Sequence, residues 1–344
     1  MNRRLEPATG PWLSKLARLA ASLAGLSLVI ACAGCASGRP APLLITHPLS
    51  AAPESAATPD LNLKLVTYNV WGLPSWMTGA PSGRYARIAR ELERLDPDVI
   101  LLQEAWTAKA RKSAPLHGHW SIARAARQHT IFQQSGLMTL SRFPIVGGQF
   151  YPFSRAAFPD RLVNKGVLKT TVQLPDGQLL NIWNVHLQDG GSQTVRGSQI
   201  RELLARVTAA QDGQIADLVA GDFNCTPETP LYRELAEALG PSAQELGGAR
   251  PFVTWDGLSA KPGAGEILDH VFVRRRMPIQ SVRASQHVAF SAARRQDRLS
   301  DHFGVEAELN LSTGPSLAGT LGLGPSRPSE LKFVSDYETH AAGD

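Results

Sequence analysis

Acids, amides and a histidine recur in this sequence at the polar ends of short apolar runs: Asn69, Glu104, Asp222 with Asn224, Asp269, and Asp301 with His302. A single Asn or Asp in such a place is ordinarily a turn or helix-cap residue. Repetition at several run ends is what a cleft needs, because each strand then delivers one functional group to a shared edge. Asp222 and Asn224 stand two apart, so on a strand both side chains face the same way and can share one ligand. Hard cations take oxygen donors, and Mg²⁺ keeps water and substrate phosphate among its ligands. Glu104 near Asp222 and Asn224 would make such a partial shell. No Cys/His group has the spacing of a structural zinc site.

The elements that must hold these groups can be read from apolar periodicity. Leu63–Trp71 alternates as a strand, and Ser82 opens a helical stretch whose Ile88, Leu92 and Leu95 share a face before Asp96-Pro97 stops it. Asp98–Trp106 is a continuous apolar run ending in Gln103 and Glu104, the pattern of a strand buried on both faces. Leu137–Arg142 and Gly147–Tyr151 are shorter strand candidates. Gly166–Leu174 and Gln178–Leu187 flank Pro175-Asp176-Gly177, a hairpin signature. A helix is expected over Ser192–Ala210, with Ile200, Leu203, Leu204 and Val207 as its stripe, and a second over Thr229–Leu239. Asp217–Asn224, Ile267–Arg275 and Phe303–Leu311 complete the strands. Many strands and few helices predict an α/β sandwich, two packed sheets with helices outside.

Composition sets the frame for that domain. Of 344 residues, 43% are hydrophobic and 19% charged, which excludes a disordered or fibrous chain and leaves an enzyme-sized globular domain. The net charge of +5 is compatible with an anionic partner but too mild to demonstrate one. Residues 1–35 have the form of a bacterial export signal: Arg3, Arg4, Lys15 and Arg18 precede an apolar run from Leu19 to Ala31. The run is too short and Ala-rich for a spanning helix. It ends as Val29-Ile30-Ala31-Cys32 and Ala33-Gly34-Cys35, small residues before cysteine as in a lipoprotein processing box, with Cys32 the better fit. An exported, membrane-anchored lipoprotein is the expectation, with a secreted form as the alternative. Residues 36–60 suit an Ala/Pro/Ser-rich linker, residues 61–311 the domain, and residues 312–344 an irregular tail. Cys225 stands alone and is expected to be a buried free thiol.

Thr67-Tyr68-Asn69-Val70-Trp71, Leu102-Gln103-Glu104, Ser141-Arg142-Phe143-Pro144-Ile145, His186-Leu187, Gly221-Asp222-Phe223-Asn224, Leu268-Asp269-His270 and Ser300-Asp301-His302 follow one another in order. The series resembles the motifs of the endonuclease/exonuclease/phosphatase superfamily, across nearly all of residues 61–311. Asn164-Lys165-Gly166, His186-Leu187-Gln188 with Val195-Arg196 and Gln199, and Thr254-Trp255-Asp256 are similar to the secreted bacterial sphingomyelinases C and their neutral relatives.

The resemblance implies a deoxyribonuclease-I-like four-layer α/β sandwich of two mixed sheets flanked by helices. It also implies a Mg²⁺-dependent phosphodiester hydrolase, with Mn²⁺ or another divalent cation as a substitute. Glu104 would be the principal cation ligand, Asn69 would stand beside it, and Asp301 would bind or orient a second ion or fix its turn. His302 would be the general base, since imidazole titrates near working pH, and Asp269 would orient it. Asp222 and Asn224 would position the water and a phosphoryl oxygen, and His186 would contact the phosphate or protonate the leaving oxygen. Lys165 and Asn164 would meet the substrate phosphate. The expected partner is a phospholipid-type phosphodiester, reached by a monomer held at the membrane through its lipidated cysteine. Nucleic acid is the alternative substrate, favoured by the basic balance and by Arg294, Arg295 and Arg298 before His302, and a silent binding protein is a third reading; Arg274-Arg275-Arg276 and Arg294-Arg295 could touch phosphates or anionic lipid. Secreted sphingomyelinases carry an aromatic, membrane-inserting hairpin before the final Ser-Asp-His. Here Ser285–Leu299 offers only Phe290, so lipids dispersed in detergent are expected to be better substrates than intact bilayers.

Overall fold

The computed structural model describes residues 40–41, 43–47, 60–73, 78, 83–115, 117–125, 135–190, 192–210, 216–247, 252–258, 265–274, 279–289 and 298–313. The leader, the tail beyond residue 313, Ser82, Phe290, Arg275, Arg276, Arg294 and Arg295 lie outside these, with the expectations attached to them.

Two mixed sheets face each other. Strands β1 (Leu43–Thr46), β2 (Asp60–Asn69), β3 (Val99–Gln103), β4 (Ser121–Ala125), β5 (Met138–Ser141), β11 (Ile279–Ala289) and β12 (Gly304–Thr313) form a seven-stranded sheet ordered β1-β4-β5-β3-β2-β12-β11. Strands β6 (Ile145–Pro152), β7 (Gly166–Gln173), β8 (Leu179–His186), β9 (Ala216–Asp222) and β10 (Asp269–Arg274) form a five-stranded sheet ordered β10-β9-β8-β7-β6. The β2–β3 and β8–β9 pairs are parallel and their neighbours antiparallel. Helices α1 (Arg84–Leu95) and α2 (Ala108–Arg111) belong to the first half, and α3 (Gln193–Ala209), α4 (Pro230–Leu239) and α5 (Ala243–Gly247) to the second.

Alternation decides the layering. Leu63, Leu65, Val99 and Leu101 point between the sheets against Leu180, Ile182, Leu218, Val271 and Val273. Their neighbours Val66, Tyr68, Ile100 and Leu102 point outward and are covered by Ile88 and Leu92 of α1. On the second sheet Trp183, Val219 and Phe272 face outward beneath Ile200, Leu203 and Val207 of α3 and Tyr232 and Leu235 of α4. Each such fully buried side chain contributes roughly 1.5–3 kcal/mol. Coverage of both faces is why β3 reads as an unbroken apolar run. The result is the expected four-layer sandwich: helix, sheet, sheet, helices.

Local signals account for several boundaries. The Ser192 and Thr229 hydroxyls cap α3 and α4 by accepting from the Val195 and Tyr232 amides. Gly177, at φ 85°, closes the turn between β7 and β8 while the Asp176 carboxylate accepts from the Gln178 amide. Other expectations are corrected. Part of the proposed linker is not one: Leu43–Thr46 is an edge strand paired with β4. Strands β4 and β11 carry no clear alternation and were not anticipated. The run Asp98–Trp106 is strand only over Val99–Gln103, and β12 extends two residues past the expected start of the tail.

Candidate active site

Strand register brings the chemistry together. Parallel pairing sets Asn69 of β2 beside Gln103 of β3, so Glu104 emerges one residue further on. Across the second sheet His186 of β8 pairs with Asp222 of β9, and Asp222 with Asp269 of β10, which places three functional residues in one row. His302 arrives on the segment leading into β12, where it bridges to Trp255. Both rows lie at the same end of the sandwich.

The strand ends are sharply turned. Trp71, Glu104 and Asn224 have φ of 48°, 57° and 50°, left-handed conformations that cost non-glycine residues energy and persist only where the surroundings impose them. Glycines make room for the turns. A Cβ on Gly72 would stand 1.7 Å from the Glu104 carbonyl oxygen, and one on Gly221, at φ 144°, would stand 2.1 Å from the Val185 oxygen. Buried Arg84 of α1 donates to the Val70, Trp71 and Leu299 carbonyls, tying the end of β2 to the segment that carries His302. The Ser300 hydroxyl donates to the Asn69 carbonyl at 2.7 Å. Sequence reasoning missed Gly72 and Arg84, since their roles depend on neighbours far along the chain.

At the centre, the Asn69 side-chain amide donates to Glu104 Oε1 at 3.1 Å and to Asp222 Oδ2 at 3.0 Å, while its oxygen accepts from the Trp71 amide at 2.9 Å. Asn69 thus aligns two carboxylates across the two sheets. His302 Nδ1 lies 2.9 Å from Asp269 Oδ2, so the proton on that nitrogen is directed to the carboxylate and Nε2 is left as the basic atom. His302 Nε2 is 3.7 Å, and His186 Nε2 3.5 Å, from Asp222 Oδ2. The Thr254 hydroxyl accepts from the Leu268 and Asp269 amides and holds the start of β10 in place.

Charge in this pocket is finely opposed. Burial raises the Asp222 carboxyl to about 6, with His302 opposing and Asp269 adding to the shift. Burial likewise lifts Asp301 to about 6, against His302 and with Glu104, and raises Glu104 itself. Burial disfavours charge on His302 too, yet the Asp269 and Asp222 carboxylates outweigh it and hold the imidazolium up to about 10. His186 is pushed well below its ordinary value by burial and by the Lys165 and His302 charges. It stays neutral, and its Nδ1 is a buried atom without a hydrogen-bond partner.

This donor set suits a divalent cation. Glu104, Asp222 and Asp301 offer hard oxygens, and their raised pKa values record desolvated, mutually repelling negative charge that a cation would relieve. Ligand atoms of Asp222, Asp269 and His302 also lie within 4.8 Å of one another. Within that cluster Asp269 and His302 are bonded to each other, while Asn69 donates to both Asp222 and Glu104.

Other predicted residues sit differently. Strand β9 ends at Asp222, so Asn224 does not share its face by alternation; its backbone amide donates to Asp222 Oδ1 at 3.0 Å and its side chain to the Leu187 carbonyl at 3.1 Å. Asn224 is a brace for Asp222. Lys165 is neither solvated nor aimed at open space: it is buried, with Nζ 2.8 Å from Asp160 Oδ2 and 2.9 Å from the Leu187 carbonyl. Burial opposes its charge, but Asp160 and Asp189 raise its pKa. Gly166 beside it makes room for the Tyr151 backbone, 2.3 Å from its would-be Cβ. Asn164 is half-buried next to them. Gln188, Arg196 and Gln199 form a structural bracket: Gln188 accepts from the Ala157 amide, Arg196 donates to the Gln188 and Gly190 carbonyls, and Gln199 donates to the Arg155 carbonyl. Trp255 is only partly buried. Cys225 is buried, and burial pushes its thiol up to about 12, as an inert cysteine requires.

The chain is similar to several proteins of known name. The chain is 28% identical over 180 residues to an inositol phosphosphingolipids phospholipase C of Schizosaccharomyces pombe, covering 48% of this chain and 42% of that protein. It therefore spans less than half the length of that curated relative. It is 24% identical over 251 residues to sphingomyelinase C of Listeria ivanovii, covering 62% and 72% of the two chains. Among solved structures, magnesium-bound beta toxin of Staphylococcus aureus superposes with a TM-score of 0.54 at 19% identity, covering 72% of this chain and 99% of that one. D. rerio TDP2 in complex with a single-strand DNA product superposes at 0.58 with 18% identity, covering 72% and 99%. At such identities the superpositions establish the fold. Residues 66–302, from within β2 through His302, match the endonuclease/exonuclease/phosphatase family, and the chain belongs to it.

Proposed function

We propose that the protein is a Mg²⁺-dependent phosphodiester hydrolase that cleaves a phospholipid-type substrate in the manner of a sphingomyelinase C. The observation that carries this reading is the Asp269–His302 pair, bonded at 2.9 Å and set in the same pocket as Asp222, Asn69 and Glu104. His302 Nε2 takes the proton of the attacking water, and Asp269 keeps the ring oriented and stabilises the imidazolium that forms. Neutral His186 offers an N–H to a phosphoryl or leaving oxygen. Asp222, fixed by Asn69 and Asn224, orients the water. Glu104 with Asp301 would hold a divalent cation, which would supply Lewis-acid neutralisation of the phosphoryl charge. Arg298, one of the basic residues before His302, is paired with Asp256 at 2.7 Å and stacked on Phe303, so it weighs little toward nucleic acid. The deciding experiment is parallel turnover on sphingomyelin, other phospholipids, phosphomonoesters and DNA. Hydrolysis of dispersed phospholipid with negligible DNA cleavage is expected. DNA cleavage that falls steeply with salt, without phospholipid hydrolysis, would move the assignment to a nuclease.

Protons and the cation should compete. Asp222 and Asp301 have folded pKa values near 6, above the unfolded carboxylate range, so the folded state holds protons the unfolded chain has released. The cation-free protein therefore loses this contribution to stability as pH rises through about 6, and a cation restores it by replacing the protons. The rise in melting temperature on adding Mg²⁺ should be large near pH 7.5 and small near pH 5. An equal rise at both pH values would show that Asp301 does not hold the cation and that Asp222 does not sense it.

We infer export and lipid anchoring from the leader. No helix among the described residues is long and apolar enough to cross a membrane. The Cys32→Ser/Cys35→Ser double variant should leave the membrane fraction; retention like that of the unaltered protein refutes the anchor.

A further inference from the structure

Among the described residues, the large apolar side chains left exposed are Val146, Phe158 and Leu162, at 46%, 55% and 54%. Phe158 and Leu162 belong to one loop, residues 153–165, which joins β6 to β7 and also exposes Arg155 and Arg161. Two large apolar side chains exposed four residues apart on one loop offer a candidate contact surface.

The loop is rigidly made. The Phe153 amide donates to the Lys165 carbonyl at 3.1 Å and closes its base, while a single 3-10 turn, Asp160–Leu162, shapes its far side. Ser154 donates to the Glu202 carboxylate through both its amide and its hydroxyl, and the Ala157 amide donates to Gln188. Buried Asp160, between Phe158 and Leu162, accepts from the Asp189 amide and pairs with Lys165. The apolar tip is thus preordered, and binding through it costs little conformational entropy. Lys165 and Asn224 both donate to the Leu187 carbonyl, next to His186, so the loop is anchored at the edge of the pocket.

We propose that loop 153–165 docks the protein onto a lipid–water interface, with Phe158 and Leu162 entering the acyl boundary and Arg155 and Arg161 meeting lipid phosphates. Apolar residues set among arginines are the composition of an interfacial contact, since the cations match phosphate charge where the apolar groups enter. The proposal rests on the phospholipid reading of the site. It also supplies a membrane contact from an element other than the Ser285–Leu299 stretch, and it predicts better use of bilayers than that stretch alone would allow.

Two variants of the full chain test it. In Phe158→Trp, the added emission over the unaltered protein should be quenched by brominated phosphatidylcholine vesicles mixed with phosphatidylglycerol, a local signal that an N-terminal anchor cannot produce. In Phe158→Ser/Leu162→Ser, turnover on the same lipids as vesicles should fall by about 10-fold or more, with turnover on a soluble diester such as bis(p-nitrophenyl) phosphate unchanged. Absence of quenching, or vesicle turnover equal to that of the unaltered protein, overturns the docking surface. Quenching in a protein that hydrolyses no lipid in any form would instead support the docking surface and refute the substrate assignment.

Discussion

Glu104→Gln should abolish turnover while leaving a folded protein. The substitution keeps volume and keeps an oxygen to accept from Asn69, but it removes the negative charge best placed for the cation. The electrostatic contribution lost is several kcal/mol, so turnover should fall by about 1000-fold or more. Stability should move the other way. Burial already raises the Glu104 pKa, which means the charged form is strained where it sits. The cation-free variant should therefore melt at or above the temperature of the unaltered protein, and the rise on adding Mg²⁺ should be lost. Turnover near the unaltered rate at limiting Mg²⁺ would refute Glu104 as the ligand.

His302→Ala should separate chemistry from cation binding. Turnover should drop by roughly 100-fold or more, the range of a general base, while the Mg²⁺-dependent rise in melting temperature persists. The pH profile is the sharper readout. A base must lose its proton to work, and the surrounding carboxylates hold His302 protonated to about pH 10 in the cation-free protein. Activity should thus climb with pH along an acid limb, and cation loading should shift that limb downward by withdrawing the charge that holds the proton. In His302→Ala the limb should vanish. A limb that survives unchanged assigns it to another group and removes His302 from the role.

These two residues were legible because their types and spacing carry the signal. A glutamate closing an apolar strand and a histidine after Ser-Asp, each in register with further motifs, leave few other readings. Asn224 and Lys165 show the limit of that logic. Alternation predicted Asn224 on the face of Asp222, but the strand stops at Asp222 and a left-handed turn makes Asn224 a brace. Lys165 was expected at the substrate phosphate from the resemblance, and its partner Asp160 lies across a loop whose path no local pattern announces.

From sequence alone come the alternation of buried strands, the caps of α3 and α4 and the hairpin turn. All of these arise within a few residues of one another, from dihedral preference and local hydrogen bonding. Only the tertiary structure decides that Leu43–Thr46 is a strand, since an edge strand is made by its partner β4 and not by its own pattern. It likewise decides that Arg84 ties β2 to the His302 segment and that Asn69 joins Glu104 to Asp222 across two sheets. Those contacts span up to 215 positions of sequence. Burial then sets the charge states, because the desolvation that lifts Asp222 and silences His186 exists only once both sheets have closed over them.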